Sequence, residues 1–199
     1  MKRLFILIPI ACIAFFACNK TPKEESIAKI EVKASAATEI TLTEATISGA
    51  YVIEPSSIKA EEVGFFYGTD ATLKECEKVI SEDQGGKFNS EIGDLTSETK
   101  YYFQAYITVR NEIKFSSILS FTTKGEAVIT TDEVTNITTT SATCGGNITS
   151  DGGLAITERG ICYSTSQNPT TADSKVAATS AGTGAYSCDI SGLTKNTTY

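Results

Sequence analysis

An internal repeat with a spacing of about 97 residues constrains the fold of this 199-residue chain more than any other feature. Three blocks recur in the same order, at offsets of 97, 96 and 98 residues: 45–51 with 142–148, 62–69 with 158–165, and 92–96 with 190–194. Because order and spacing are both kept, the blocks indicate two copies of one module. Such a period is too long for a solenoid repeat and fits a small β-sandwich.

Each copy shows the two-residue periodicity of strands whose alternate side chains face a core. The residues that share one face are Ala45, Ile47, Gly49 and Tyr51 in the first copy and Ala142, Cys144, Gly146 and Ile148 in the second. A long strand over 101–109, a closing strand over 113–123 and a start near Ile30 give about seven strands, the number typical of a sandwich. The sequence therefore predicts an all-β fold.

Glycine clusters predict the turns between these strands. Glycine adopts positive φ without steric cost, as tight hairpin turns require. We interpret three clusters as hairpin turns: 85–86, 152–153 and 182–184.

Two corner segments resemble a known family. Residues 95–106 (LTSETKYYFQAY) and 193–199 (LTKNTTY) are similar to the corner of fibronectin type III domains, where a tyrosine packs back on a preceding leucine. The ERGICYS run at 158–164, followed by Asn168-Pro169-Thr170, resembles fibronectin type III-like modules of Gram-negative envelope lipoproteins. The resemblance implies tandem immunoglobulin-like/fibronectin type III-like β-sandwiches at 28–124 and 127–199, with Lys124-Gly125-Glu126 as a short linker. It implies little about function, because such modules serve as spacers, adhesins and docking domains.

The second copy is shorter than the first. Tyr199 aligns with Tyr101, yet the first copy continues to Thr123. We therefore expect domain 127–199 to be truncated and to lack the F and G strands, which complete one sheet of this fold. Either the sequence is a fragment of a longer protein, or an incomplete sandwich accepts a donor strand from a neighbour, as pilus subunits do.

The first residues read as an export signal. Lys2 and Arg3 precede an apolar run over 4–17, which is too short for a membrane span and typical of a signal peptide. The sequence FFAC at 15–18 resembles a bacterial lipobox, although the family usually has Leu where Phe15 stands. The resemblance implies a lipoprotein-type signal peptide at 1–17, lipidation at Cys18 and a polar tether at 18–27. Cys12 also follows an alanine, but apolar residues continue beyond it, so Cys18 is the better candidate.

Composition removes several function classes. The chain contains no histidine and no tryptophan, which excludes Ser-His-Asp and Cys-His nucleophile systems and most zinc sites. Its net charge is −7, and removing Lys2 and Arg3 leaves 15 basic against 24 acidic residues, or −9. That field repels a phosphate backbone, so we expect no nucleic-acid partner. We also expect no cofactor, no metal site and no catalytic residue.

Four cysteines lie beyond the leader, at positions 76, 144, 162 and 188. Cys144 and Cys188 are predicted to lie on neighbouring strands and to point inward. An oxidising envelope would permit a disulfide between them, but buried free thiols are the interpretation that we favour. The acidic stretch Asp70, Glu75, Glu77, Glu82 and Asp83 lacks the spacing of a calcium loop, so we interpret it as a solvated face or a short helical turn.

The leading functional hypothesis is a non-catalytic, lipid-anchored protein of the bacterial outer membrane, periplasmic or surface-exposed. It would act as a spacer or adhesion rod, or present a partner. The alternatives are a glycan- or protein-binding module that uses the loops at 54–62 or 152–157, a fragment of a larger enzyme, and a pilus-like donor-strand subunit.

Overall fold

A computed structural model of the protein describes residues 26–199, and this part of the chain is built from antiparallel β-strands without any helix. The prediction of an all-β, sandwich-like fold is confirmed. The strands are β1 (Lys29–Thr38), β2 (Ala45–Glu54), β3 (Glu62–Gly68), β4 (Glu77–Ser81), β5 (Lys87–Ile92), β6 (Lys100–Val109), β7 (Glu112–Phe115), β8 (Leu119–Thr122), β9 (Val128–Thr131), β10 (Ser141–Ser150), β11 (Gly160–Tyr163), β12 (Ser174–Ala177) and β13 (Gly184–Ser191).

Residues 29–122 form two facing sheets. One has the order β1-β2-β5; in the other, β3 lies between β4 and β6, and β6 also pairs with β7 and β8. Alternating side chains from both sheets meet in a core where Ile47, Phe65 and Phe103 are fully buried. Phe65 packs between Phe88 and Phe103, at ring-centroid distances of 5.1 and 6.4 Å, which binds the two layers together.

Residues 128–191 form a second pair of sheets, with the orders β13-β10-β9 and β11-β12. Within the described chain, no strand of this half pairs with a strand of the first half. The core is small: its buried cluster consists of Cys144, Ile161, Cys188 and Ile190. Tyr163, Val176, Tyr186 and Leu193 are half-buried against it.

The repeat read from the sequence is also a repeat of local geometry. Glu39 and Asn136 both have φ of 50°, at equivalent places before β2 and β10. The N–H of Thr96 donates to the Tyr101 hydroxyl at 2.9 Å, and the N–H of Thr194 donates to that of Tyr199 at 3.1 Å. The two halves therefore share backbone conformation and corner hydrogen bonds as well as sequence.

The prediction of one closing strand over 113–123 is wrong, because two separate strands, β7 and β8, form there. β7 and β8 both pair with β6, but the partner of Tyr106 is Phe115 whereas the partner of Phe103 is Leu119, so one extra residue intervenes. Ser116 lies at this bulge. Its hydroxyl accepts a hydrogen bond from the Ala105 N–H at 3.0 Å, which satisfies the ladder where the register shifts.

The three glycine turns are also misassigned as hairpins. The segments 85–86, 152–153 and 182–184 join strands that belong to different sheets: β4 to β5, β10 to β11, and β12 to β13. Both glycines of each segment have positive φ. These glycines allow the chain to cross from one layer of the sandwich to the other.

The predicted signal peptide at 1–17, the lipidation site Cys18 and most of the tether lie outside the described residues. Ile27, placed in the tether by the sequence, packs against the core of the first half. From residue 26 onward, we find no helix of the length and hydropathy needed to cross a bilayer.

The Tyr101 hydroxyl provides a test of the corner. Tyr101→Phe removes the acceptor of the Thr96 N–H in a part-buried site, so we expect the free energy of unfolding to fall by about 1 kcal/mol in urea titrations. Tyr102→Phe is the matched control, because Tyr102 is half-buried and its hydroxyl makes no such bond. Equal losses in the two variants would contradict a structural role for the corner.

Candidate functional site

The candidate site is a solvent-open space in the second half, which we call the open cleft. It encloses about 940 Å³ between the two sheets of this half and the corner at 193–199. Its wall is mainly apolar, and its principal side chains are Val134, Ile137, Ile161, Tyr163, Ile190 and Leu193. In the first half, the equivalent surface is covered by β6, β7 and β8.

One strand edge explains why the cleft is open. In the first half, β3 is paired on both sides, by β4 and by β6. Its counterpart β11 is paired only by β12 within the described residues. The other edge of β11 is therefore not paired by a strand, although its Gly160 carbonyl accepts a hydrogen bond from the Tyr186 hydroxyl at 3.1 Å.

The segment that opens each half shows the same difference, at 32–40 in the first half and at 129–137 in the second, where Val134 and Ile137 line the open cleft. In the first half, Val32, Ala37 and Ile40 are half-buried, because β1 packs across the sandwich against β6, β7 and β8. The equivalent side chains of the second half are exposed: Ile129 by 53 %, Val134 by 49 % and Ile137 by 72 %. Sequence-equivalent apolar residues are thus enclosed in one copy and open in the other.

The corner tyrosine forms one rim of the cleft. Tyr199 contacts Tyr163 edge to face, with 6.1 Å between ring centroids, and remains 46 % exposed. Its counterpart Tyr101 is stacked on Phe121 at 5.7 Å and is only 9 % exposed. Because Phe121 belongs to β8, the difference again reflects the strands that enclose the first core.

Cys144 and Cys188 lie directly opposite each other on β10 and β13, and both are buried, as the alternation predicted. Their thiols are free and donate in different directions, to the Asp132 carbonyl at 3.6 Å and the Val176 carbonyl at 3.5 Å. Desolvation raises the pKa of the Cys188 thiol. Paired positions on antiparallel strands have the Cα spacing that a disulfide needs, so a bond between them stays a prediction.

The carboxylates of the acidic stretch accept hydrogen bonds from other groups of the first half. Asp70 accepts from the N–H of Thr72 at 2.9 Å and from its hydroxyl at 2.7 Å, and these bonds lower the pKa of the carboxyl group. Glu77 and Asp83 each accept a tyrosine hydroxyl at 2.6 Å. Among residues 26–199 no three Cys, Asp or Glu side chains are grouped to hold a metal ion.

Sequence reasoning missed an aromatic cluster on the face of β3, β6 and β7 that points away from the core. Phe66 lies between Tyr106 and Phe115, with centroids 4.9 and 6.0 Å away; Tyr106 is fully buried and Phe115 is 49 % exposed. Tyr106 donates to Glu62 at 2.8 Å, and desolvation is the main cause that raises its pKa to about 12. The sequence pattern that indicates this cluster is the adjacent pairs Phe65-Phe66 and Ala105-Tyr106, which give both faces of a strand apolar character. The loops proposed for binding, 54–62 and 152–157, contain no aromatic residue.

Comparison with protein-family models and with curated proteins gives no match. Among solved structures, the chain is similar to a short form of the sensor domain of the anti-sigma factor RsgI4 of Pseudobacteroides cellulosolvens. The identity is 24 % over 49 % of this chain and 97 % of that chain, with a TM-score of 0.40. A solution structure of the same sensor domain shows 22 % identity over 48 % of this chain and 75 % of that chain, with a TM-score of 0.38. Similarity at this level assigns no family and no function.

The cysteine environments predict an order of reactivity. Cys76 is exposed, whereas Cys144 and Cys188 are buried and must be uncovered by an opening of the sheet before they react. We expect a water-soluble maleimide to modify Cys76 roughly tenfold faster or more, as measured by peptide mass spectrometry over time. The same experiment without reductant detects a Cys144–Cys188 bond as two thiols that stay unmodified after denaturation. Equal rates at all four positions would contradict the buried assignment.

Proposed function

We propose that the protein is a non-catalytic, lipid-anchored spacer of the bacterial cell envelope, in which consecutive sandwich modules hold a partner-binding surface away from the membrane. The observation that carries this proposal is the joint between the halves, where the linker backbone is hydrogen-bonded on both sides. A spacer needs modules that do not swing freely, because a flexible joint shortens the average distance that the modules span.

On the side of the first half, the linker residue Lys124 is fixed by two main-chain bonds. Its N–H donates to the Thr41 carbonyl at 2.8 Å, and its own carbonyl accepts from the Glu98 N–H at 3.1 Å. Just before it, the buried Thr123 hydroxyl donates to the Thr96 carbonyl at 2.6 Å. These hydrogen bonds fix the direction in which the linker leaves the first half.

On the side of the second half, the linker is held by a main-chain hydrogen bond. The Gly125 N–H donates to the Gly152 carbonyl at 2.8 Å. Gly152 has φ of +63°, and a Cβ added there would lie 2.1 Å from the Gly125 carbonyl oxygen. Only glycine permits so close an approach, so residue 152 is what allows the linker to lie against the second half.

Export and anchoring rest on the sequence. The charged start, the apolar run over 4–17 and the lipobox-like FFAC at 15–18 support acylation of Cys18, with outer-membrane localisation on either face as part of the proposal. The resemblance to fibronectin type III modules supports that family as part of the proposal. The partner is a protein or a glycan, because the net charge of −9 calculated for the chain without Lys2 and Arg3 opposes nucleic acid.

Gly152→Ala tests the joint. We expect the added methyl group to push the linker away from the second half, so that the two halves report different alignment frames in NMR residual dipolar couplings, whereas the parent protein reports one. Gly182→Ala is the matched control, because φ is +91° there but nothing lies within 4 Å of the added carbon. Independent alignment of the halves in the parent protein would contradict the spacer.

Cys18→Ser tests the anchor. We expect this variant to lose incorporation of radioactive palmitate and to leave the membrane fraction, because the thiol at position 18 is the proposed site of acylation. Cys12→Ser is the control and should label like the parent. If Cys18→Ser labels as strongly as the parent, the anchor is misassigned.

A further inference from the structure

We propose that Cys144 and Cys188 form a redox latch: a disulfide between them, which can be made and broken, joins β10 to β13 and closes residues 145–187 into a loop. This inference concerns the two thiols alone. It does not depend on the spacer function, nor on what contacts the second half from outside. It rests on the register of the two strands, on the directions of the two thiols and on a comparison with the first half.

The register brings the two cysteines together. β10 and β13 are antiparallel, and Cys144 lies directly opposite Cys188. Opposite residues of an antiparallel pair have Cα atoms about 4.5 or 5.5 Å apart, and a disulfide spans Cα separations of about 4.4–6.8 Å. Both side chains are buried in the same core cluster, so they also share a face. The bond therefore needs rotation of the two side chains and no shift of either strand.

The other cysteines of the described chain do not compete for this bond. Cys162 follows the buried Ile161 on β11, so strand alternation turns it to the opposite face. Cys76 is exposed and lies in the first half, between β3 and β4. Among residues 26–199, Cys144 and Cys188 are thus the two cysteines that the strand pairing places opposite each other.

The first half shows that the fold does not require thiols at these positions. The equivalent residues are Ile47 and Ser90, which also lie directly opposite each other, on β2 and β5. The Ser90 hydroxyl is hydrogen-bonded to the Ser81 hydroxyl at 2.7 Å. Packing is therefore satisfied by an aliphatic side chain and a hydroxyl, and the thiol pair gives the second half a chemistry that the first half lacks.

The thiols make other contacts in the reduced form. Cys144 donates to the Asp132 carbonyl at 3.6 Å, just after β9, and Cys188 donates to the Val176 carbonyl at 3.5 Å, on β12 of the facing sheet. In the disulfide neither sulfur carries a proton, so both hydrogen bonds are lost. Oxidation thus exchanges two weak contacts with other segments, one of them across the sandwich, for one covalent link within a single sheet.

The oxidant is a second disulfide, either glutathione disulfide or a disulfide-bonded protein. One cysteine thiolate attacks a sulfur of that disulfide, forms a mixed disulfide and releases one thiolate of the oxidant. The thiolate of the other cysteine then attacks the cysteine sulfur of the mixed disulfide and releases the second one. The pair loses two electrons and two protons, and the oxidant becomes two thiols.

Burial controls the rate of this exchange. Desolvation raises the pKa of the Cys188 thiol, and both thiols must be uncovered before either can react. We therefore expect the latch to close and to open slowly, whichever disulfide or thiol is supplied.

The first test locates the bond in the whole protein. Purified protein is equilibrated with glutathione buffers of stepped composition, quenched with maleimide and digested with trypsin without reduction. Trypsin cuts after Arg159 and Lys175, so each of the three cysteines of the second half lies in a separate peptide. We expect one linked product, 125–159 joined to 176–195, which accumulates as glutathione disulfide increases and disappears when reduced glutathione is restored.

Two results of this test would overturn the proposal. One is the absence of the linked product even after the protein has been unfolded and refolded in the oxidising buffer. The other is a product in which the peptide 160–175, which contains Cys162, is the main partner of either thiol.

The second test measures what the latch does. Closing a loop removes conformations from the opened chain, so oxidation should suppress the openings that separate β10 from β13. We expect amide hydrogen exchange in these two strands to slow about tenfold or more in oxidising buffer. Exchange in β2 and β5, the equivalent strands of the first half, should stay unchanged and serves as the internal control.

Two serine variants separate the latch from a general effect of the buffer. Cys188→Ser places at position 188 the hydroxyl that the first half has at Ser90, so we expect the fold to be retained and its exchange rates to be the same in both buffers. Cys162→Ser is the matched control and should slow on oxidation like the parent. If oxidation leaves the parent unchanged, or if Cys188→Ser responds as the parent does, the proposal is overturned.

Discussion

The structure depends on one requirement of layered β folds: the apolar face of each sheet must be covered by another layer. The first half meets it through β6, which pairs with β3, β7 and β8 and buries Phe103, Ala105 and Ile107 completely. The phenylalanine cluster around Phe65 then follows, since the rings come from both sheets. In the second half, residues 128–191 supply the β1-β2-β5 layer in the form of β13-β10-β9 but only two strands of the facing layer, and the core contracts to four enclosed residues.

Much of this architecture could be predicted because the sequence encodes it locally and twice. Alternation placed Cys144 and Cys188 inside, and the match of LTSETKY with LTKNTTY placed a tyrosine at each corner, where both hydroxyls accept a backbone N–H. These features depend on side-chain periodicity and short turns, which are visible in a single copy. The repeat strengthened these predictions, because equivalent residues in the second copy fit the same local geometry.

What escaped prediction depends on pairing between distant segments. The bulge at Ser116 arises because one extra residue must fit between the two stretches that pair with β6, and a run over 113–123 does not reveal its own register. The glycine segments looked like hairpins because turn chemistry specifies a reversal but not the sheet to which the chain returns. The aromatic cluster of Phe66, Tyr106 and Phe115 was overlooked because apolar residues on both faces of a strand do not indicate which face points away from the core.

The edge of β11 that is unpaired by any strand within residues 26–199 also has a consequence for how this stretch behaves in solution. An unpaired edge beside exposed Val134 and Ile137 is a template on which other copies can add, and this addition grows with concentration. The concentration of monomer that residues 26–199 sustain is therefore limited by association at this edge, against which the net negative charge of the chain acts through mutual repulsion.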